Sequence, residues 1–109
     1  MMIETHQRSN YTEAKLLIKE ANLDVAEQFK SEIQHLVDRG HTHIIVNFEN
    51  VAYVDSSFLG ALVSVLKYCM SKKGDIAVAG LNKDISNLFN LIRMNKVFKV
   101  FNSLPDAFA

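Results

Sequence analysis

Two hydroxyls directly after a carboxylate, Asp55-Ser56-Ser57, are the residues whose types and spacing best suit chemistry in this chain. An apolar lead-in ends at the aspartate and an amphipathic pattern starts at once, so Ser56 or Ser57 is expected at a helix N-cap. The free N–H groups of a first turn and the aligned peptide dipoles favour negative charge there, so a phosphate on a serine would be held without breaking the helix. The same residues also suit a plain cap, because Ser and Asp serve that role widely. A catalytic serine would need a base and an oxyanion site. Neither a Gly-x-Ser-x-Gly elbow nor a triad-like set is recognisable, and the reading is that this is not an enzyme.

Other candidates are weaker. His41 and His43 are spaced to share one side of a strand, as metal ligands sometimes do, but no cysteine or second histidine pair completes a site and solvated or capping roles are expected. No cofactor is implied. Gly60, Gly74 and Gly80 are isolated rather than a phosphate loop, and are assigned to helix packing, a C-cap and a turn. The single cysteine, Cys69, cannot form an internal disulfide and is expected as a buried thiol.

The elements that position the serines follow from periodicity. Residues 2–6 alternate weakly, as in a short edge strand, and Lys15–Lys19 reads as a second strand. Asp24 with Glu27 resembles a capping box opening a helix through Val25, Phe29, Ile33, Leu36 and Val37, with Gly40 at its stop. His43–Phe48 is a continuous apolar run, suited to a sheet centre covered on both faces. The central helix then carries two stripes, one of Leu59, Leu62, Val63, Leu66, Cys69 and Met70, the other of Phe58, Ala61, Val65 and Tyr68. Together they exceed the roughly 100° arc that one core-facing side needs, so either the helix is buried on two sides or the second stripe meets a partner. The helix is expected to stop near Lys72-Lys73-Gly74, with Gly at C′. Asp75–Ala79 reads as a strand, Asn82 to about Asn95 as a helix, Val97–Phe101 as a last strand and Ser103–Ala109 as a helix start. Strand and helix alternate, which predicts an α/β fold with a mostly parallel or mixed sheet of four to five strands and about four helices, in one domain spanning 1–109.

Composition narrows the partners. Twelve basic and twelve acidic residues cancel, and no basic stripe interleaved with aromatics is present, which speaks against nucleic acid. No apolar run approaches the roughly 18 residues of a membrane span and the first residues lack a signal peptide's apolar segment, so a cytoplasmic protein with no membrane contact is expected.

The run Ile44-Ile-Val-Asn-Phe-Glu-Asn-Val-Ala-Tyr-Val-Asp-Ser-Ser-Phe-Leu-Gly60 resembles the signature of STAS domains, and within them the bacterial anti-sigma factor antagonists, in which a strand and short loop lead to Asp-Ser-Ser-Gly-Leu-Gly at a helix start. The resemblance runs from about Ala14 to the C-terminus and implies Ser56 as the phospho-acceptor, with Ser57 as second choice. It implies as partner an anti-sigma factor that is also a serine kinase of the histidine-kinase-like ATPase type, with a PP2C-type phosphatase reversing the modification. Asp24 matches the aspartate of the family's Gly-Glu-Leu-Asp segment and is expected near Ser56, at the same end of the sheet. Phe58 stands where the motif has glycine, and Ala21 where the earlier segment has glycine. A benzyl group beside Ser56 is expected either to obstruct a typical partner or to suit a different one.

The resulting expectation is a partner-binding module, monomeric or weakly dimeric, switched by phosphorylation. Its contact surface comprises Asp24, Asp55, Ser57 and the stripe Phe58, Ala61, Val65 and Tyr68. The rivals are a STAS scaffold or sensory-assembly subunit regulated without phosphorylation, and a small-ligand sensor using a pocket beside Asp24 and Ser56.

Overall fold

A computed structural model describes residues 2–104, so the helix start expected at 103–109 lies largely outside the described residues. Strands β1 (Ile3–Gln7), β2 (Thr12–Leu16), β4 (His43–Asn47), β6 (Asp75–Ala79) and β7 (Lys99–Phe101) form one sheet in the order β1-β2-β4-β6-β7. Among the described residues only the β1–β2 pair is antiparallel. Two further strands, β3 (Glu20–Ala21) and β5 (Tyr53–Val54), pair in parallel as a separate ribbon. Helices α1 (Leu23–Asp38), α2 (Ser56–Ser71) and α3 (Lys83–Leu91), with a 3-10 turn at Met94–Lys96, complete an α/β fold with a mixed sheet.

Strand β4 lies at the sheet centre, as its unbroken apolar run predicts. Its Ile44 and Val46 join the core beneath the helices with Ile76 and Val78 of β6, while Ile45 packs on the opposite face with Tyr11, Ala77 and Ala79. The two-residue period of a strand thus fills both faces from one sequence. That second face also holds a polar group that periodicity did not reveal. Glu13, 2% exposed, accepts from Arg8 Nη2 at 2.6 Å and from Asn47 Nδ2 at 2.9 Å. Burial pushes its carboxyl up, but the hydrogen bonds from Asn47 and Arg8 and the charge of Arg8 outweigh this and hold it below the ordinary glutamate range.

Several helix ends differ from expectation. The cap of α1 is Asn22, whose side chain accepts from Asp24 N–H at 3.1 Å, so Asp24 is a first-turn residue and not the capping residue. Glu27 pairs with Lys30 at 3.7 Å instead of closing a capping box. Gly40 takes the left-handed conformation (φ 97°) just past α1, as expected, whereas after α2 it is Lys73 that does so, at φ 65°. Gly74 is required for another reason: a Cβ there would stand 2.1 Å from the Thr42 carbonyl oxygen. Gly60 is exposed and a Cβ on it would meet open space, so it is not a helix-packing glycine. Cys69 is fully buried, with Sγ 3.3 Å from the Thr42 carbonyl, and burial first, then the charge of Asp75, pushes its thiol up to about 11. Among the described residues, no helix is long and apolar enough to cross a membrane.

Candidate functional site

The β3–β5 ribbon brings two helix starts together. Lys19 O accepts from Ala52 N–H at 2.7 Å, and Ala21 O accepts from Asp55 N–H at 3.0 Å, so the chain leaves this two-strand clamp directly into α1 on one side and α2 on the other. Asp55, not either serine, is the cap of α2. Its Oδ1 accepts from Phe58 N–H at 2.9 Å and its Oδ2 reaches across to accept from Leu23 N–H, also at 2.9 Å. One carboxylate therefore serves the first turns of two helices, where both macrodipoles favour negative charge. Asn82 adds the third helix: its Oδ1 accepts from Ile85 N–H at 2.8 Å, and its Nδ2 donates to the carbonyls of Val51 and Ala52 at 3.3 and 3.2 Å. The segment Val51–Asp55 is fixed from three sides.

With Asp55 as cap, Ser56 and Ser57 occupy the first two helical positions of α2. Ser56 is exposed and Ser57 is half-buried. Asp24, exposed, directly follows Leu23, whose N–H ends on Asp55, so Asp24 lies at the same end of the sheet as Ser56, as expected. Leu23 and Tyr53 flank this end, 68% and 55% exposed. Beside Tyr53 a groove of about 230 Å³ runs along Ala52, Val54, Asp84, Ile85 and Leu88.

The expected contact stripe on α2 is corrected. Phe58 and Val65 are fully buried, and only Ala61 and Tyr68 keep partial exposure. Phe58 points into the core, its ring 4.5 Å from that of Phe29 and edge-on to Phe48 at 6.4 Å, while Phe48 in turn meets Phe89 at 6.3 Å. The large side chain at the motif's glycine position joins α1, α2 and α3 through the core and leaves the surface beside Ser56 open. Tyr68 is tied to α1 by a hydrogen bond from its hydroxyl to Asp38. The wide apolar arc of α2 thus reflects burial on two sides. Its outward line is Ser56, Gly60, Lys67 and Met70, and Met70, assigned to the core stripe by spacing, is 59% exposed. Spacing located the serines, but the exposure of Leu23, Tyr53 and Gly60 carried no sequence signal beyond their nearness to the motif.

His41 Nδ1 lies 2.9 Å from the Thr12 hydroxyl, which gives that ring a hydrogen-bonding role.

Fold and site together define an α/β binding module that displays a serine at a helix start. The STAS domain model matches residues 17–107, and the chain belongs to the STAS domain family. It is 28% identical over 100 residues to the anti-sigma-B factor antagonist of Staphylococcus aureus, covering 90% of each chain. Its fold is similar to that of an anti-sigma-factor antagonist (STAS) domain protein from Planctomyces limnophilus, with TM-score 0.82, 16% identity and coverage of 94% of this chain and 91% of that one. It is also similar to the Bacillus cell fate determinant SpoIIAA in its phosphorylated form, with TM-score 0.68, 18% identity and coverage of 90% and 89%.

Proposed function

We propose that this chain is a regulatory module of the anti-sigma factor antagonist type, a single domain over 1–109, with Ser56 as its phospho-acceptor. The observation that carries the reading is the exposure of Ser56 at the first position of α2, beside a cap that does not use its hydroxyl. A kinase reaches it without unfolding the helix. The names of relatives support the same direction: an anti-sigma-B factor antagonist at 28% identity, and a fold neighbour described in a phosphorylated form.

The contact surface in this reading is Ser56 with Asp24, Asp55 and Ser57, flanked by Leu23, Tyr53 and Gly60. Exposed apolar side chains next to bare helix backbone suit close approach by a protein partner. A phosphate on Ser56 meets the first-turn N–H groups of α2, and Asp55 retains its two acceptor bonds. The added charge of nearly two units, next to Asp55 and Asp24, then opposes the desolvation that docking requires, so binding ends while the fold persists.

The partner is an anti-sigma factor that is also a serine kinase of the histidine-kinase-like ATPase type, and a PP2C-type phosphatase restores the unmodified state, all in the cytoplasm. Calorimetric titration of such an ATPase with unmodified and Ser56-phosphorylated protein tests this. The unmodified form binds, and the phosphorylated form binds at least about a hundredfold more weakly. Equal affinities contradict the switch.

A further inference from the structure

The outer edge of β1 carries a feature that the Ser56 site does not use. Leu17 N–H donates to Met2 O at 2.7 Å and Arg8 N–H donates to Tyr11 O at 2.8 Å, and in the β1–β2 register between them Glu4 and His6 fall in the same hydrogen-bonded class. Ile3, Thr5 and Gln7 therefore turn their N–H and C=O groups outward, and among the described residues no strand pairs with them. Beside that edge, α1 overhangs a cleft of about 300 Å³ with Ile3, Thr5 and Leu36 on its walls and Glu32 and Arg39 as its charged groups. Glu32 Oε2 accepts from Gln28 at 2.8 Å, but Glu32 Oε1 is buried with no partner among the described residues. A buried acceptor left unpaired is costly, so the cleft calls for a donor.

We propose that β1 is a self-pairing edge, and that a second copy of this chain supplies the donor by adding its own β1 antiparallel, making one sheet across the two-fold axis. Side-chain complementarity selects the register. With outward residues facing outward residues, three close alignments exist. Centring on Glu4 sets Glu4 against Glu4 of the other copy, and centring on His6 sets His6 against His6 and Glu4 against Arg8, whose guanidinium Glu13 already holds at 2.6 Å. Within each strand Glu4 Oε1 and His6 Nε2 already lie 2.9 Å apart. Centring on Thr5 sets Glu4 opposite His6 of the other copy twice and joins the two pairs into one four-residue cluster, in the non-hydrogen-bonded positions where side chains approach most closely. The Thr5 register also sets Gln7 of one copy directly opposite Ile3 of the other, on the face that borders the cleft. The Gln7 carboxamide there donates to Glu32 Oε1 and offers its own oxygen to Arg39, which matches the mixed charge of the cleft. A five-residue edge makes a small interface, so the dimer is weak and dissociates on dilution.

Sedimentation equilibrium of the full chain from about 10 µM to about 1 mM, the range in which small interfaces associate, tests the proposal. The wild type shifts from monomer mass towards dimer mass. Glu4→His sets two histidines opposite His6, and His6→Glu sets two glutamates opposite Glu4, so each variant alone self-associates at least about tenfold more weakly. An equimolar mixture of the two recovers wild-type association, because every cross-edge pair is complementary again. In the wild type, the amide of Thr5 also exchanges with solvent more slowly as concentration rises. Monomer mass at every concentration overturns the proposal. So does association that the single variants leave unchanged, or variants that the mixture does not rescue.

Discussion

Leu23 and Asp55 stand 32 residues apart in sequence and are joined by a hydrogen bond of 2.9 Å from the Leu23 N–H to Asp55 Oδ2. The other oxygen of the same carboxylate caps α2 through Phe58 N–H, so a single side chain sets the spacing of two helix starts. The aspartate of Asp-Ser-Ser is therefore structural, and it frees both serine hydroxyls from capping.

Replacing Asp55 separates the two bonds. Asp55→Ala removes both and is expected to cost about 2–4 kcal/mol, the sum of a lost cap and a lost charge-assisted bond. Asp55→Asn keeps one acceptor oxygen and costs less. Ser56→Ala, at an exposed position outside the cap, changes stability by no more than about 0.5 kcal/mol. Urea denaturation of the three variants gives the ranking.

Phe58→Gly installs the glycine of the Asp-Ser-Ser-Gly-Leu-Gly motif that the sequence resembles, yet it empties the space between Phe29 and Phe48. A loss of about 3–5 kcal/mol is expected, with no gain in partner affinity that a surface obstruction by Phe58 would predict. Denaturation and titration of the same variant read the two effects separately.

Much of the fold was legible because burial imposes a period. The central strand, the edge strand at the N-terminus, the start of α3 at Asn82 and the stop at Gly40 all follow from patterning and turn chemistry. That both apolar stripes of α2 turn into the fold was not legible. Spacing leaves a partner-facing stripe open, and only the positions of α1, α3 and the sheet close it, as the burial of Phe58 and Val65 and the exposure of Met70 at the margin of the other stripe illustrate. Capping by Asp55 rather than Ser56 was hidden for a similar reason: both residue types cap well, and the second bond to Leu23 exists only in three dimensions.

Glu13 predicts an acid-sensitive term. Its folded pKa is depressed, so its contribution is fully present above the ordinary glutamate value of about 4.3 and is lost as pH falls through the lower folded value. Glu13→Gln is expected to destabilise the protein by about 1–3 kcal/mol at neutral pH. The gap between variant and wild type narrows below about pH 4. Denaturation midpoints across that range measure it.

Cys69, with its thiol raised to about 11, has only about one molecule in a thousand ionised at pH 8 and no open approach. Iodoacetamide is expected to leave the native protein unmodified over hours and to alkylate it promptly in urea. Rapid native alkylation would contradict the packing around Thr42.

Phosphate transfer to Ser56 is the central event of the proposed switch. The most direct measurement is intact-mass and site-mapping spectrometry on protein taken from its native cells, with and without stress, for wild type and Ser56→Ala. A gain of one phosphate that maps to Ser56 and is absent from the variant is expected. A phosphate that maps elsewhere, or a Ser56 that stays unmodified even when incubated with its cognate kinase and ATP, would contradict it.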